Sequence, residues 1–247
     1  MRAIAERDGV ALVSGAHLRW AESGITDSRR ALAWDLLTPA ERARWGAIAL
    51  PDRRERFLLG RLLLRQGAAE LSGIPVDRVV IRSECPRCGG PHGRPIIDGD
   101  GVAALHASLS STSGLVVAAF LPARLGRAVG VDMEAIAGSS DRAAAIDDLV
   151  PRVGRTASGP RAALRRWTRA EAVLKADGRA LRVDPSRVIF RRVGHRLVAS
   201  VDDDPTSYVV TDRRIGRRAI LSVAVAVAVA RPGQRAGADG SSGSAAA

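Results

Sequence analysis

The chain has 247 residues and a formal net charge of +12, and only 3% of its residues are aromatic. This length suffices for one large domain or two small ones with a buried core, and two cysteines exclude a disulfide framework. The charge indicates an acidic partner without choosing between nucleic acid, acidic protein, a phosphorylated small molecule and an anionic membrane.

Membrane and export signals are not apparent in the sequence. Residues 1–8 lack the apolar core of a signal peptide. The most apolar run, residues 219–230, is too short to span a bilayer, and its Val/Ala alternation predicts a buried strand instead. We therefore expect a cytoplasmic protein with no membrane partner.

Two helix starts stand out in the first half of the chain. Thr38-Pro39-Ala40-Glu41 has the spacing of a capping box with proline at the first helical position. A second helix is predicted after Pro51, with leucines on one side and arginines mostly facing elsewhere; these are Leu58, Leu59, Leu62 and Leu63, and Arg53, Arg56 and Arg61. Shorter strands are predicted near residues 79–82, 94–97 and 114–120.

The second half of the chain also mixes predicted strands and helices. After a connection at residues 122–126 we predict a strand at 127–134, a polar loop and helix, and a helix at 160–177 that ends at Gly178. Further strands are predicted at 187–191, 197–201, 207–211 and 219–230. The mixture indicates an α+β fold with lobes at residues 1–122 and 123–231, and a disordered Gly/Ser/Ala tail at 232–247.

The first chemical signal is a pair of acids in the strand predicted at 127–134. Residues two apart in a strand point to the same face, so Asp132 and Glu134 project together while Met133 points to the core. Two adjacent carboxylates repel unless a cation or a proton lies between them. The alternative is two exposed acids at the end of a strand.

The second signal is the stripe of Trp167, Glu171 and Lys175 on the helix predicted at 160–177. Lys175 is the only lysine among 38 lysine and arginine residues, and arginine cannot freely replace a compact ammonium. A salt bridge from Glu171 to Lys175 is the plain structural interpretation. A third carboxylate brought to Asp132 and Glu134 would instead complete an oxygen-rich site suited to Mg²⁺ and phosphate oxygens. That combination is typical of metal-assisted phosphoryl transfer.

Together these segments resemble the signature motifs of 4′-phosphopantetheinyl transferases. Gly130-Val131-Asp132-Met133-Glu134 resembles the family's G-(V/I)-D-(I)-E motif, and residues 167–175 resemble its W-x-x-K-E-A/S-x-x-K motif. The chain is most similar to the longer type that serves polyketide, siderophore and nonribosomal peptide pathways. This resemblance implies two similar lobes in a pseudo-twofold arrangement, with the active site in the cleft between them.

Three further segments match in the same order along the chain. Residues 53–65 resemble the R-x-x-x-G-R-x-L-L-R helix, in which an arginine at the position of Arg56 helps to hold coenzyme A. Arg94 stands at the basic position of the G-K-P segment, which contacts a coenzyme A phosphate. Residues 108–115 resemble the N-x-S-H-S/T motif before a core strand. The resemblance thus assigns coenzyme A binding to Arg56, Arg94, Ser110, Ser111 and Thr112.

The resemblance also implies a mechanism. Asp132, Glu134 and Glu171 would hold Mg²⁺, with Mn²⁺ as the alternative, against the pyrophosphate of coenzyme A. Glu171, directly or through water, would take the proton from a serine hydroxyl of an acyl or peptidyl carrier protein. Lys175 would stabilise the charge that develops as 3′,5′-ADP leaves. The expected partner is acidic, so added salt should weaken the encounter of the two proteins, and the chain should be a monomer.

Other interpretations stay open. Ser111 and Ala170 replace a histidine and a lysine of the family motifs, which leaves a relative that binds coenzyme A or carrier protein without catalysis as an alternative. Nonspecific nucleic-acid binding is a further one, although the arginines are dispersed and aromatic residues for base stacking are few. Cys85, Cys88 and His92 form at most a zinc half-site, because a structural zinc needs four ligands.

Overall fold

The computed structural model describes residues 3–4, 8–83, 88–90, 93–137, 140–147, 149, 158–202 and 204–227. Its helices are α1 (Asp27–Asp35), α2 (Pro39–Gly46), α3 (Pro51–Ser72), α4 (Ser140–Asp147) and α5 (Pro160–Asp177). Its strands are β1 (Ala3–Ile4), β2 (Gly9–Val13), β3 (Ala16–Glu22), β4 (Val80–Ser83), β5 (Pro95–Asp98), β6 (Leu105–Thr112), β7 (Leu115–Pro122), β8 (Ala128–Ala135), β9 (Val188–Val193), β10 (Arg196–Val201), β11 (Ser207–Ile215) and β12 (Ala219–Val227). This mixture confirms the predicted α+β class.

Local signals place the helix ends. The capping box predicted at Thr38 is present, since its hydroxyl accepts from the Glu41 N–H and the Glu41 carboxylate accepts from the Thr38 N–H. Helix α5 begins at Pro160 and ends at Gly178, which adopts a left-handed conformation with φ of 90°. Both helices therefore begin where the sequence predicts, and α5 also ends where it predicts.

The strands form two sheets of six. One sheet has the order β2-β3-β7-β6-β5-β4 and is antiparallel throughout. The other has the order β8-β12-β11-β10-β9, also antiparallel, with β1 added in parallel against β11. Apart from β1, the chain completes the first sheet at Pro122 and begins the second at Ala128.

The two sheets face each other and carry a helix on each outer side. One face of β7, with Val117 and Ala119, packs against Val131 and Val223 of the second sheet. The opposite face of β7 packs against the leucines of α3, and α5 covers the outer face of β8, β11 and β12. The order of layers is therefore α3, first sheet, second sheet and α5, which places β8 between α5 and the first sheet.

Some predictions concern parts of the chain that the structure treats differently. The serine-rich segment at residues 108–115 was expected to precede a core strand. Its first part, up to Thr112, instead belongs to strand β6. The tail from Pro232, and Cys85 and His92 of the zinc half-site, lie outside the described residues, while Cys88 is exposed. Among the helices described, none has both the length and the apolar character needed to cross a membrane.

Candidate functional site

The site predicted at β8 depends on a close approach between this strand and α5. A Cβ atom at Gly130 would lie 1.9 Å from the carbonyl oxygen of Ala172 and 2.6 Å from the backbone nitrogen of Ala176. Only glycine therefore allows β8 and α5 to meet here. By strand alternation, Asp132 and Glu134 share the face of Gly130 toward α5, while Met133 fills the core between the sheets, as predicted.

Asp132 is the centre of a short buried network. The Lys175 ammonium donates to Asp132 Oδ1 over 2.7 Å and to the Val131 carbonyl over 3.2 Å. The Ser110 hydroxyl donates to the same Oδ1 over 3.0 Å. The other oxygen, Oδ2, is buried and has no hydrogen-bond partner among the described residues. The structure thus brings together two predicted catalytic or metal residues and leaves one buried acceptor to be satisfied.

The other two predicted metal ligands are also buried. Glu134 on β8 and Glu171 on α5 are each 6% exposed, the same fraction as Asp132. Within the described part of the chain, however, no three His, Cys, Asp or Glu side chains are close enough to share a metal ion. Buried carboxylates on facing elements are the hard oxygen donors that Mg²⁺ prefers, and the unsatisfied Asp132 oxygen fits such an ion.

A row of hydroxyl groups joins β6 to the outer edge of β8. Because β8 is the edge strand of its sheet, every second backbone N–H points away from β12. Three side chains of β6 accept from these groups: Ser108 from Val131, Ser110 from Met133 and Thr112 from Ala135. Two residues predicted to bind coenzyme A, Ser110 and Thr112, therefore connect the two sheets, while Ser111 points the other way and is exposed.

A basic cavity opens beside Lys175. It has a volume of about 1060 Å³ and is lined from both halves of the chain, by α3, β5, β6 and the segment after α5. Its lining includes six basic side chains: Arg44, Arg61, Arg94, Lys175, Arg179 and Arg182. Arg94 is a predicted coenzyme A contact; Arg56, the other predicted arginine, is half-buried on α3 and is not among the lining residues described. The cavity suits an anionic ligand.

Arg61 is held at the cavity wall by a buried carboxylate. Glu41 accepts from Arg65 over 2.6 Å and lies 3.3 Å from Arg61, which also donates to the Ser83 hydroxyl. Burial lowers the pKa of Arg61 to about 10, so the side chain is still charged at neutral pH. Two arginines on one glutamate leave net positive charge at the wall, which the sequence alone did not predict.

Arg179 is positioned in a similar way on the opposite side. The Asp177 carboxylate at the end of α5 accepts two hydrogen bonds from the Arg179 guanidinium, over 2.5 and 2.9 Å, and one from the Tyr208 hydroxyl. The hydrogen bond to Asp177 raises the pKa of Arg179. Asp177, Arg179 and Tyr208 were not predicted, since only the fold brings β11 to the end of α5.

Ala170, which replaces a lysine of the motif that the sequence resembles, and its neighbour Arg169 both lie in well-defined surroundings. Ala170 is fully buried in the core between α5 and the second sheet. Arg169, its neighbour, faces away and binds Asp212 through Nε and Nη2. Neither position supplies a cation near Asp132.

Comparison with known proteins adds no family to this description. No protein-family model matches the chain, and no curated protein matches its sequence.

Proposed function

We propose that the chain is a 4′-phosphopantetheinyl transferase, which moves the phosphopantetheine group of coenzyme A to a serine of an acyl or peptidyl carrier protein. The observation that carries the proposal is the buried Asp132 carboxylate. One of its oxygens is bound by the only lysine, the other is unsatisfied among the described residues, and Lys175 lines the basic cavity. A lone surface ion pair would require none of these features.

The basic cavity supports coenzyme A as the donor. Coenzyme A carries a diphosphate and a 3′-phosphate, and arginines recognise phosphate oxygens with paired hydrogen bonds. The volume of the basic cavity, about 1060 Å³, is near the upper end of the usual range for small-molecule sites, as the elongated coenzyme requires. In this proposal the two sheets with their helices are the pseudo-twofold lobes, and the cavity is the cleft between them.

The chain's own residues have separate tasks in the reaction. Glu171 takes the proton of the carrier serine, directly or through water, as the serine oxygen forms a bond to the phosphorus of the phosphopantetheine arm. The bond from that phosphorus to the bridging oxygen breaks, and 3′,5′-ADP leaves with the electron pair. The Lys175 ammonium, fixed by Asp132, offsets the charge that develops on the leaving phosphate.

A divalent cation fits the same acids. Asp132, Glu134 and Glu171 would hold Mg²⁺, which would neutralise phosphate charge when bound. Ser110 and Lys175 hold Asp132 through Oδ1, and its buried Oδ2 has no hydrogen-bond partner among the described residues.

A second candidate is a relative that binds coenzyme A without turnover. The observation in its favour is that Ala170 is buried and Arg169 is bound to Asp212, so the site lacks the second cation of the family motif. The two candidates predict the same ligand and differ in whether a carrier protein is modified.

The test is the intact mass of a serine-bearing carrier protein after incubation with the chain, coenzyme A and Mg²⁺. We expect a gain equal to one phosphopantetheine group, which EDTA prevents. Glu171→Gln should abolish the gain, whereas Glu70→Gln, an exposed glutamate on α3, should keep it. No gain with several carrier proteins, while coenzyme A still binds, would leave the non-catalytic candidate.

A further inference from the structure

A second recess lies outside the basic cavity, where α5 begins. It has a volume of about 320 Å³ and is lined by Ile136 after β8, Arg161 and Arg165 on α5, Arg214 on β11 and Ile220 on β12. We refer to it as the Arg214 recess. None of its lining residues lines the basic cavity.

The described lining of the Arg214 recess carries positive charge and no negative charge. Arg161 and Arg165 are four residues apart on α5, a spacing at which like charges repel, and Arg214 adds a third guanidinium from the neighbouring sheet. No acidic side chain is among the residues described as lining it. The next turn of α5 provides a contrast, since Arg169 there is neutralised by Asp212. Three arginines around one concave surface favour an anion, and the described lining residues do not supply one.

The hydrogen bonding of Arg214 points to the same conclusion. Its Nε atom is buried and has no hydrogen-bond partner in the part of the chain that the structure describes. A buried N–H without an acceptor is costly, and a charged guanidinium forms its strongest hydrogen bonds with anionic oxygens. A ligand oxygen near Nε would satisfy this donor and reduce the repulsion among the three arginines.

We propose that the Arg214 recess binds a phosphate group, as a site separate from the basic cavity and independent of the transferase proposal. The planar guanidinium groups of Arg161, Arg165 and Arg214 match the oxygens of a phosphate. Ile136 and Ile220 give the recess an apolar wall beside the charged groups. At about 320 Å³, the recess is large enough for inorganic phosphate or for a phosphate monoester whose organic part contacts the isoleucines.

The test follows the arginine Nε–H signals of the full chain by ¹⁵N NMR during a titration with inorganic phosphate. The Arg214 signal is assigned by its loss in Arg214→Gln, and we expect it to shift with saturation. Arg165→Gln, in which Arg214 remains as a reporter, should raise the dissociation constant at least about tenfold. Arg191→Gln, at an exposed arginine on β9, should leave it unchanged.

Other results would overturn the proposal. An Arg214 signal that does not move, or that moves equally in wild type and Arg165→Gln, would show that phosphate does not bind here. A shift lost in Arg94→Gln instead would place the phosphate in the basic cavity. A parallel titration with n-propyl phosphate separates the two sources: tighter binding than inorganic phosphate identifies a monoester, and equal or weaker binding identifies free phosphate.

Discussion

Replacing Gly130 by alanine tests the contact on which the candidate site depends. The added Cβ would lie 1.9 Å from Ala172 O and 2.6 Å from Ala176 N, both backbone atoms of α5. Carbon atoms in proteins ordinarily lie about 3.5–4.0 Å from such neighbours, so α5 would have to move away by roughly 1.5 Å. We expect the variant to lose about 3 kcal/mol of unfolding free energy or more. The same movement would draw Lys175, one residue before Ala176, away from Asp132.

Urea denaturation followed by circular dichroism measures this loss. The matched control is Gly46→Ala at the end of α2, where an added Cβ meets nothing within 4 Å. This control should be neutral or stabilising by up to about 1 kcal/mol, because alanine reduces the freedom of the unfolded chain. Equal denaturation midpoints for Gly130→Ala and Gly46→Ala would refute the packing of β8 against α5, and with it the geometry around Asp132.

Three substitutions test the groups around the site. Lys175→Arg keeps the charge but replaces the compact ammonium, so we expect the transfer rate to the carrier protein, measured by intact mass over time, to fall by roughly tenfold to a hundredfold. Glu41→Gln leaves two buried arginines without their carboxylate and should cost about 3 kcal/mol of unfolding free energy in urea denaturation. Glu70→Gln at the surface should cost less than about 0.5 kcal/mol. Similar losses in the two variants would contradict the buried network around Glu41. Ser110→Ala removes the acceptor of a buried N–H and should cost about 1–3 kcal/mol in the same assay, whereas no difference from the exposed control Ser111→Ala would show that the hydroxyl row does not join the sheets.

Much of the second half of the fold could be predicted, because its signals are local. The proline start and glycine end of α5, and the Val/Ala alternation of β12, depend on residues near in sequence. The two recognisable segments also place Asp132 and Lys175 at one site, but the salt bridge they suggest for Lys175 is to Glu171, whereas the structure pairs Lys175 with Asp132. Which oxygen of Asp132 is left unsatisfied depends on Ser110 in another sheet, and no periodicity reveals that.

The first half shows where local signals were present but unused. Strands β2 and β3 are joined by Ser14 and Gly15, both with positive φ, which is the two-residue turn of a tight hairpin. The Ser-Gly pair between alternating apolar residues was therefore a usable signal. Strand β6 is hard to predict because its inward residues are serines and a threonine. Their hydroxyls accept hydrogen bonds from the backbone N–H groups of the edge strand β8 rather than fill a core.

Two arginines of the basic cavity, Arg61 and Arg179, could not be found in this way. Arg61 occupies a buried position among the leucines of α3, and its charge is tolerated only because Glu41 reaches it from α2. Arg179 is fixed by a carboxylate two residues earlier and by Tyr208 from β11. Both positions depend on contacts between elements that are distant in sequence.

The most direct test of the central claim measures coenzyme A binding and carrier modification side by side in wild type and Asp132→Asn. We expect wild type to bind coenzyme A and to add phosphopantetheine to the carrier serine. Asp132→Asn should still bind coenzyme A through the arginines of the basic cavity, but should transfer at least about a hundredfold more slowly. Two results would contradict the proposed function. One is wild-type protein that binds coenzyme A but modifies none of several carrier proteins, and the other is an Asp132→Asn variant that transfers at the wild-type rate.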